Sequence, residues 1–87
     1  MQDKAKKELI CKTTGKVFKK LKGKQSQFMF GAENGISTSI ISMLARGMKD
    51  PQLTTVFKIA EALGIRASEF VKLIENELPD KFSLLDK

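Results

Sequence analysis

The fold is decided by residues 26–47, which read SQFMFGAENGISTSIISMLARG. Two short helices are predicted in this stretch, one over about 27–33 and one over 37–47. The turn between them contains Gly35. A tight turn between helices often needs a positive φ, which glycine adopts at little steric cost. The stretch therefore predicts two helices on either side of a sharp turn.

Serine and glycine residues mark the ends of both helices. Ser26 and Ser37 are N-cap candidates, because a serine hydroxyl can accept a hydrogen bond from an unpaired N–H of the first turn. Gly47 stands where a left-handed C-terminal cap is expected. Two helices joined by a short turn that contains glycine form a helix-turn-helix pattern, and we place it at about residues 27–45.

Length and composition favour one small domain with a thin margin of buried surface. The chain has 87 residues, of which 41% are hydrophobic. A homodimer would bury more surface, so we expect one. We expect no membrane span and no secretory signal, because no apolar run has the required length. The single cysteine, Cys11, fits a reducing, cytoplasmic compartment.

Positive charge is concentrated at the amino-terminal end. The formal net charge is +6, and residues 1–27 carry nine lysines against two acidic residues. A basic end on a small protein favours a polyanionic partner, with nucleic acid first and an anionic membrane second. The alternative is a lysine-rich, solvated face that only aids solubility.

The first helix is predicted to begin near residue 13. Thr13 or Thr14 would cap it, and residues 1–12 before it would be either a basic arm or an extension of the helix. One face of this helix would be buried. That face consists of Val17, Phe18 and Leu21.

Two further helices are predicted after the central stretch. The first covers about 53–63 and ends at Gly64, and the second covers about 67–78 and is stopped by Pro79. The apolar residues expected in the core from the second helix onward are Phe28 or Met29, Phe30, Ile41, Leu44, Leu53, Val56, Phe57, Ala60, Leu63, Phe70, Val71, Ile74 and Leu78.

No alternating β pattern is present, so the expected fold is all-α, with five helices. The core domain would span residues 13–78, and residues 79–87 would form a short C-terminal tail. The tail contains Phe82, Leu84 and Leu85, and it would either pack back on the domain or meet a second subunit.

The central stretch and the helices after it resemble the lambda-repressor/Cro type of helix-turn-helix, the group often called XRE-like. The resemblance covers roughly residues 15–75. The residues that carry it, in order, are Ser26-Gln27, Gly35-Ile36-Ser37, Ile41-Ser42, Arg46-Gly47, Asp50-Pro51 and Ala60-Glu61-Ala62-Leu63-Gly64-Ile65. It implies a compact five-helix lambda-repressor-like domain that binds double-stranded DNA and regulates transcription, as a repressor on a two-fold symmetric operator.

Two positions depart from the family pattern. Ala45 stands where the family usually has Glu, so the buried ion pair between that Glu and an Arg of helix one cannot form. Gly31 stands where the family usually has Ala, which costs about 1 kcal/mol of helix propensity. Small residues in helix two would, however, let the next helix approach closely.

The resemblance also implies which side chains meet DNA. In this fold the second helix of the motif enters the major groove. The expected base contacts are Thr38, Ser39, Ser42 and Met43. The expected phosphate contacts are Gln27, Ser37, Arg46, Lys49 and Lys24. Hydroxyl groups discriminate weakly between bases, so we expect modest direct readout and more specificity from DNA shape.

These assignments have simpler alternatives. Ser37 could serve only as a helix cap, and Arg46 could serve only as a cation that complements the C-terminal end of the helix dipole. Ser42 and Met43 could be ordinary surface residues beside a buried face.

Other functional classes are less well supported by the sequence. With no His, one Cys and no glycine-rich phosphate loop, we expect no enzyme, no catalytic residues, no metal and no cofactor. An antitoxin-like or regulatory module is the main alternative, with a protein partner bound through helix five and the tail. The expected location is the cytoplasm of a bacterium or a phage-infected cell, at the nucleoid.

Overall fold

The computed structural model describes residues 2–85, with side chains from Lys4 onward, so the outermost residues of both terminal segments lie outside the described part. Residues 2–85 contain five helices and no strand, as the sequence predicts. The helices are α1 (Gln2–Lys22), α2 (Gln27–Asn34), α3 (Thr38–Ala45), α4 (Leu53–Leu63) and α5 (Ala67–Glu77). The all-α fold is confirmed.

Helix α1 is continuous across the position where a new helix was expected. Thr13 and Thr14 are buried inside it, and the Thr14 hydroxyl donates to the carbonyl oxygen of Ile10 at 2.8 Å. The expected cap at Thr13 or Thr14 is therefore wrong, because a threonine hydroxyl can bond back to the preceding turn without ending the helix. Residues 2–12 form a helical extension. The division into 1–12, 13–78 and 79–87 stays a prediction.

Helices α1 and α3 touch backbone to backbone at Gly15. A Cβ at this position would lie 2.5 Å from the carbonyl oxygen of Leu44 and 2.7 Å from that of Ala45. No side chain fits there without displacement of backbone. Ala45 is buried in the same contact, so two small residues, Gly15 and Ala45, lie where the two helices cross closely.

Gly31 allows a second close approach, between α2 and the turn that follows it. A Cβ on Gly31 would lie 2.6 Å from the carbonyl oxygen of Ile36 and 3.6 Å from Cγ1 of Ile41. Glycine lowers the helix propensity at position 31, but it allows the turn to pack against α2. The expectation that small residues in α2 let the next helix approach closely is therefore met by the turn at Ile36, and not by α3 itself.

The core lies between all five helices, and α2 contributes Phe30 to it. Its largest fully buried side chains are Phe18, Phe70, Ile41, Leu44 and Ile59. Phe18 also meets the Phe30 ring edge to face, with ring centroids 5.2 Å apart, a favoured arrangement for aromatic pairs.

Several residues expected in the core are instead exposed. These residues are Leu21, Phe28, Met29, Leu53, Phe57 and Val71. The expectation fails in α2 because Phe30 and Gly31 face inward, and one face of a helix cannot also bury the two preceding residues. In α4 the inward positions are Ile59 and Ala60, so Phe57 lies toward solvent.

The described part of the tail folds back on the domain. Leu84 and Leu85 line a cavity together with Lys7, Ile10 and Asp50. This arrangement corresponds to the first of the two tail alternatives. None of the helices within residues 2–85 is long and apolar enough to cross a membrane.

Candidate nucleic-acid interface

The start of α2 is fixed by its cap. The Ser26 hydroxyl accepts a hydrogen bond from the Met29 N–H at 3.1 Å, which confirms the predicted N-cap. Gln27 is the first residue of the helix and is half-buried. Helix α2 ends at Asn34, and its C-cap Gly35 has φ 65° and donates its N–H to the carbonyl oxygen of Gly31. The predicted glycine turn is confirmed.

The start of α3 differs from the prediction in one respect. Ser37 occupies the N-cap position with φ −54° and ψ 132°, but its side chain makes no capping hydrogen bond. The expected cap by the Ser37 hydroxyl is therefore wrong. Because the residue is exposed, this hydroxyl can serve a partner outside the domain.

The end of α3 is a glycine cap. Gly47 has φ 72°, its N–H donates to the Leu44 carbonyl at 3.1 Å, and the Met48 N–H donates to the Met43 carbonyl at 2.9 Å. This pair of bonds is the Schellman motif. The predicted cap is confirmed, although the helix itself ends at Ala45 and not at Gly47.

The outer face of α3 carries the four side chains expected to read bases. Residues three or four apart share a helix face, so Thr38 and Ser42 are neighbours, and so are Ser39 and Met43. Thr38, Ser39 and Met43 are exposed and Ser42 is half-buried. The opposite face consists of Ile41, Leu44 and Ala45, which are buried. We call the four outer residues the reading strip.

The expected phosphate contacts are divided between the two helices of the motif: Ser37, Arg46 and Lys49 flank α3 in the chain, and Lys24 and Gln27 flank the start of α2. Lys24 is exposed in the turn between α1 and α2, close in the chain to Gln27. Arg46 is exposed directly after α3, and Lys49 is half-buried in the following loop. No carboxylate of the described residues lies within ion-pair distance of Arg46 or Lys49.

Sequence reasoning missed two features next to these residues. Phe28 and Met29 are exposed at the start of α2, beside Gln27. Three successive apolar residues in a short helix could have indicated this, since they cannot all face the core. In addition, one groove is lined by Lys4, Lys7 and Arg46. The sequence of α1 alone does not indicate that this helix packs against the end of α3.

Part of the lysine-rich face of α1 is engaged within the domain. The Lys7 ammonium lies 3.7 Å from an Asp50 carboxylate oxygen. The ammonium groups of Lys16 and Lys20 each lie 3.9 Å from a Glu77 carboxylate oxygen. These pairs are between solvent-exposed groups, so each contributes roughly 0–1 kcal/mol. They can open when a stronger anion approaches.

The described residues contain little that could hold a metal. No group of three or more His, Cys, Asp or Glu side chains is close enough to ligate one within them. Cys11 is buried, and burial, followed by the charge of Asp50, raises the pKa of its thiol. The thiol is therefore protonated and unreactive at neutral pH.

A family model described as helix-turn-helix matches residues 26–70, more than half of the chain. The chain belongs to the lambda-repressor/Cro-like helix-turn-helix family. The matched segment runs from the cap of α2 into α5, and it contains the whole reading strip. A lambda-repressor/Cro-like domain is a DNA-binding transcription regulator, and this chain is one in that general sense. The comparison with curated proteins finds no match.

Proposed function

We propose that this chain is a sequence-specific repressor that binds a two-fold symmetric operator as a homodimer, with α3 in the major groove. The observation that carries the proposal is the reading strip: three hydroxyl side chains and one thioether on the outer face of α3, whose inner face is buried in the core. Such a protein acts at the nucleoid of a bacterium or a phage-infected cell, in the cytoplasm.

Base recognition would rest on weak, adaptable contacts. The hydroxyls of Thr38, Ser39 and Ser42 can donate or accept hydrogen bonds, and the Met43 thioether and the Thr38 methyl suit thymine methyl groups. The reading strip holds no Arg, Asn or Gln for a bidentate base contact. Sequence-dependent DNA shape would therefore supply a large share of the specificity.

Backbone contacts would supply most of the affinity. Gln27 stands at the N-terminus of α2, where backbone N–H groups and the helix dipole favour an anion. The Ser37 hydroxyl, which is not used as a cap, is suited to a neighbouring phosphate. Arg46, Lys49 and Lys24 would neutralise phosphates beside the two helices of the motif and release counterions.

Dimerisation is supported by an exposed apolar pair on α4. Leu53 is 69% exposed and Phe57 is 57% exposed, and they lie four residues apart on one face of the helix. In sedimentation equilibrium without DNA, Phe57→Glu should shift the protein toward monomer. Phe28→Glu is a matched control, because Phe28 is 64% exposed on α2. Equal effects of both substitutions would count against this dimer face.

The proposed function is tested by selecting bound duplexes from a random pool. We expect enrichment of a two-fold symmetric site, and log K that falls steeply with log [salt] because phosphate contacts dominate. The double variant Thr38→Ala/Ser39→Ala should reduce the base preference of the enriched site. Its binding to duplexes of mixed sequence should remain nearly unchanged. If no duplex is enriched at any salt concentration, the proposal is refuted.

An antitoxin-like module that binds another protein is the second candidate function. The observation that favours it is the exposure of Val71 and Leu73 on α5 and of Leu85 in the tail. Deletion of residues 79–87 should then abolish copurification of a stoichiometric partner. DNA binding that persists with no such partner would favour the repressor alone.

A further inference from the structure

We propose that the amino-terminal half of α1 forms a second contact with DNA, on backbone phosphates outside the half-site that α3 reads. The contact surface is a groove between α1 and the end of α3. We call it the lysine groove, and its cationic lining consists of Lys4, Lys7, Lys12 and Arg46. This inference rests on the proposed DNA-binding function and assigns a role to residues outside the segment matched by the family model.

The position of the groove follows from how α1 packs on α3. Gly15 contacts the last turn of α3. The backbone of Lys12 lies against Gly47, because a Cβ added to Gly47 would be only 2.7 Å from the Lys12 Cα. A helix face repeats every three to four residues. The face that contacts α3 at Gly15 therefore continues through Lys12 and Glu8 to Lys4, alongside the residues that follow α3. Lys7 is three residues from Lys4, and it lines the same groove.

The charge in the groove favours an anion. Four cationic side chains line it against two carboxylates, those of Glu8 and Asp50. Asp50 is paired with Lys7 at 3.7 Å, but both side chains are more than half exposed, so this ion pair is weak. A phosphate of DNA can displace Asp50 from Lys7 or bind beside it.

Continuity with the reading helix identifies DNA as the partner. Arg46 lines the groove and also directly follows α3, so a strand held at Arg46 can continue along the groove. Residues 4–12 of a helix span about 12 Å, roughly the axial length of three to four nucleotides of one strand. The groove is thus long enough for the phosphates that flank a half-site.

The test compares operator duplexes that differ only in flanking length. The selected site is prepared with no flank, four base pairs or eight base pairs on each side. The variant Lys4→Gln/Lys7→Gln/Lys12→Gln is compared with the control Lys16→Gln/Lys19→Gln/Lys20→Gln. Both remove three positive charges from α1, and both include lysines that pair with a carboxylate.

We expect wild-type affinity to rise with the first four flanking base pairs and then to level off. The groove variant should lose this gain and should bind the unflanked duplex nearly as well as wild type. Between 50 and 200 mM salt, wild-type affinity for flanked duplex should fall about 10- to 40-fold more than that of the groove variant, as two to three lost phosphate contacts predict. The control should keep the gain from flanking DNA.

Three outcomes would overturn the inference. Wild-type affinity could be independent of flank length, or the two variants could weaken binding equally at every length. Ethylation of flanking phosphates could also fail to interfere with wild-type binding. Each of these three outcomes leaves the proposed DNA-binding function intact. If the wild-type protein binds no duplex, both the proposed function and this inference are refuted. A further variant, Lys4→Gln/Lys7→Gln, leaves Lys12 and its contact with Gly47 unchanged. If it also loses part of the gain from flanking DNA, the loss is due to charge and not to a disturbed helix crossing.

Discussion

The outer face of α3 and the amino-terminal half of α1 differ in chemistry although the two helices pack directly on each other. The reading strip on α3 holds hydroxyls and a thioether and no charge, whereas Lys4, Lys7 and Lys12 on α1 line a cationic groove. Hydroxyl groups can tell bases apart weakly, and ammonium groups attract any phosphate. On the proposed function, α3 would discriminate between bases and α1 would attract phosphates, and the two helices are held together at Gly15.

The largest expected effect comes from breaking that connection. Gly15→Val should destabilise the fold by about 2–4 kcal/mol, because any Cβ meets the Leu44 and Ala45 carbonyls and overpacking forces backbone to move. The measurement is thermal unfolding by circular dichroism, with an expected fall in Tm of roughly 10–20 °C.

Lys19→Ala is the control for Gly15→Val, because it changes an exposed position of the same helix. It should leave Tm within a few degrees of wild type. A Gly15→Val protein as stable as wild type would show that α1 and α3 are not held this closely.

The next largest effect is expected at the end of the reading strip. Arg46→Ala should weaken binding to every duplex by about tenfold and reduce the slope of log K against log [salt] by about 1, because one phosphate contact is lost. Gln27→Ala should also weaken all sites alike. Fluorescence anisotropy titrations at several salt concentrations measure both changes.

Lys72→Ala is the matched control for Arg46→Ala, since Lys72 is an exposed cation on α5, outside the helix-turn-helix. It should change affinity less than twofold. If Arg46→Ala altered base preference but not the salt dependence, Arg46 would be a base contact and its assignment here would be wrong.

A smaller effect is expected on the reading strip itself. Ser39→Ala or Met43→Ala should reduce the preference for the selected site over single-base variants by less than about 1 kcal/mol each, below the value of a bidentate contact. Overall affinity for mixed duplexes should change little. Competition binding against a set of single-base variants measures this, and a loss of affinity that is uniform across the set would place these residues on phosphates.

The smallest effect concerns Cys11 in the floor of the lysine groove. Burial raises the pKa of its thiol above the ordinary value of 9.0, so the folded state favours the neutral form. This contribution to stability is complete below the ordinary pKa and is lost as pH rises through the pKa of the folded protein. Between about pH 8 and pH 10, the Tm of wild type should fall more than that of Cys11→Ala. Parallel curves would contradict this.

Local signals in the sequence predict most of the helix ends around the motif, although the span of 37–47 expected for α3 is longer than the observed Thr38–Ala45. Ser26 and Gly47 were identified as caps from residue type and spacing, and the bounds of α4 were predicted correctly from its apolar period. The fold class followed from these elements in order. Such features depend on contacts within a few residues, which the sequence displays directly.

Features that depend on tertiary position could not be predicted in the same way. Thr13 and Thr14 have the residue type of caps, but a threonine inside a helix can satisfy its hydroxyl on the preceding turn. Phe28 and Phe57 are as apolar as the residues beside them, and only the packing of neighbouring helices decides which of them faces inward. The lysine groove requires α1 and the end of α3 to be close, and this closeness depends on Gly15.

The separation of the two faces of α3 has a consequence for engineering. Thr38, Ser39 and Met43 are exposed, and the packing of the helix rests on Ile41 and Leu44. A library that randomises the three outer positions therefore leaves the core composition unchanged. Members with Arg, Asn or Gln at these positions would acquire the bidentate donors that the natural strip lacks, so one scaffold could be retargeted to a range of operators.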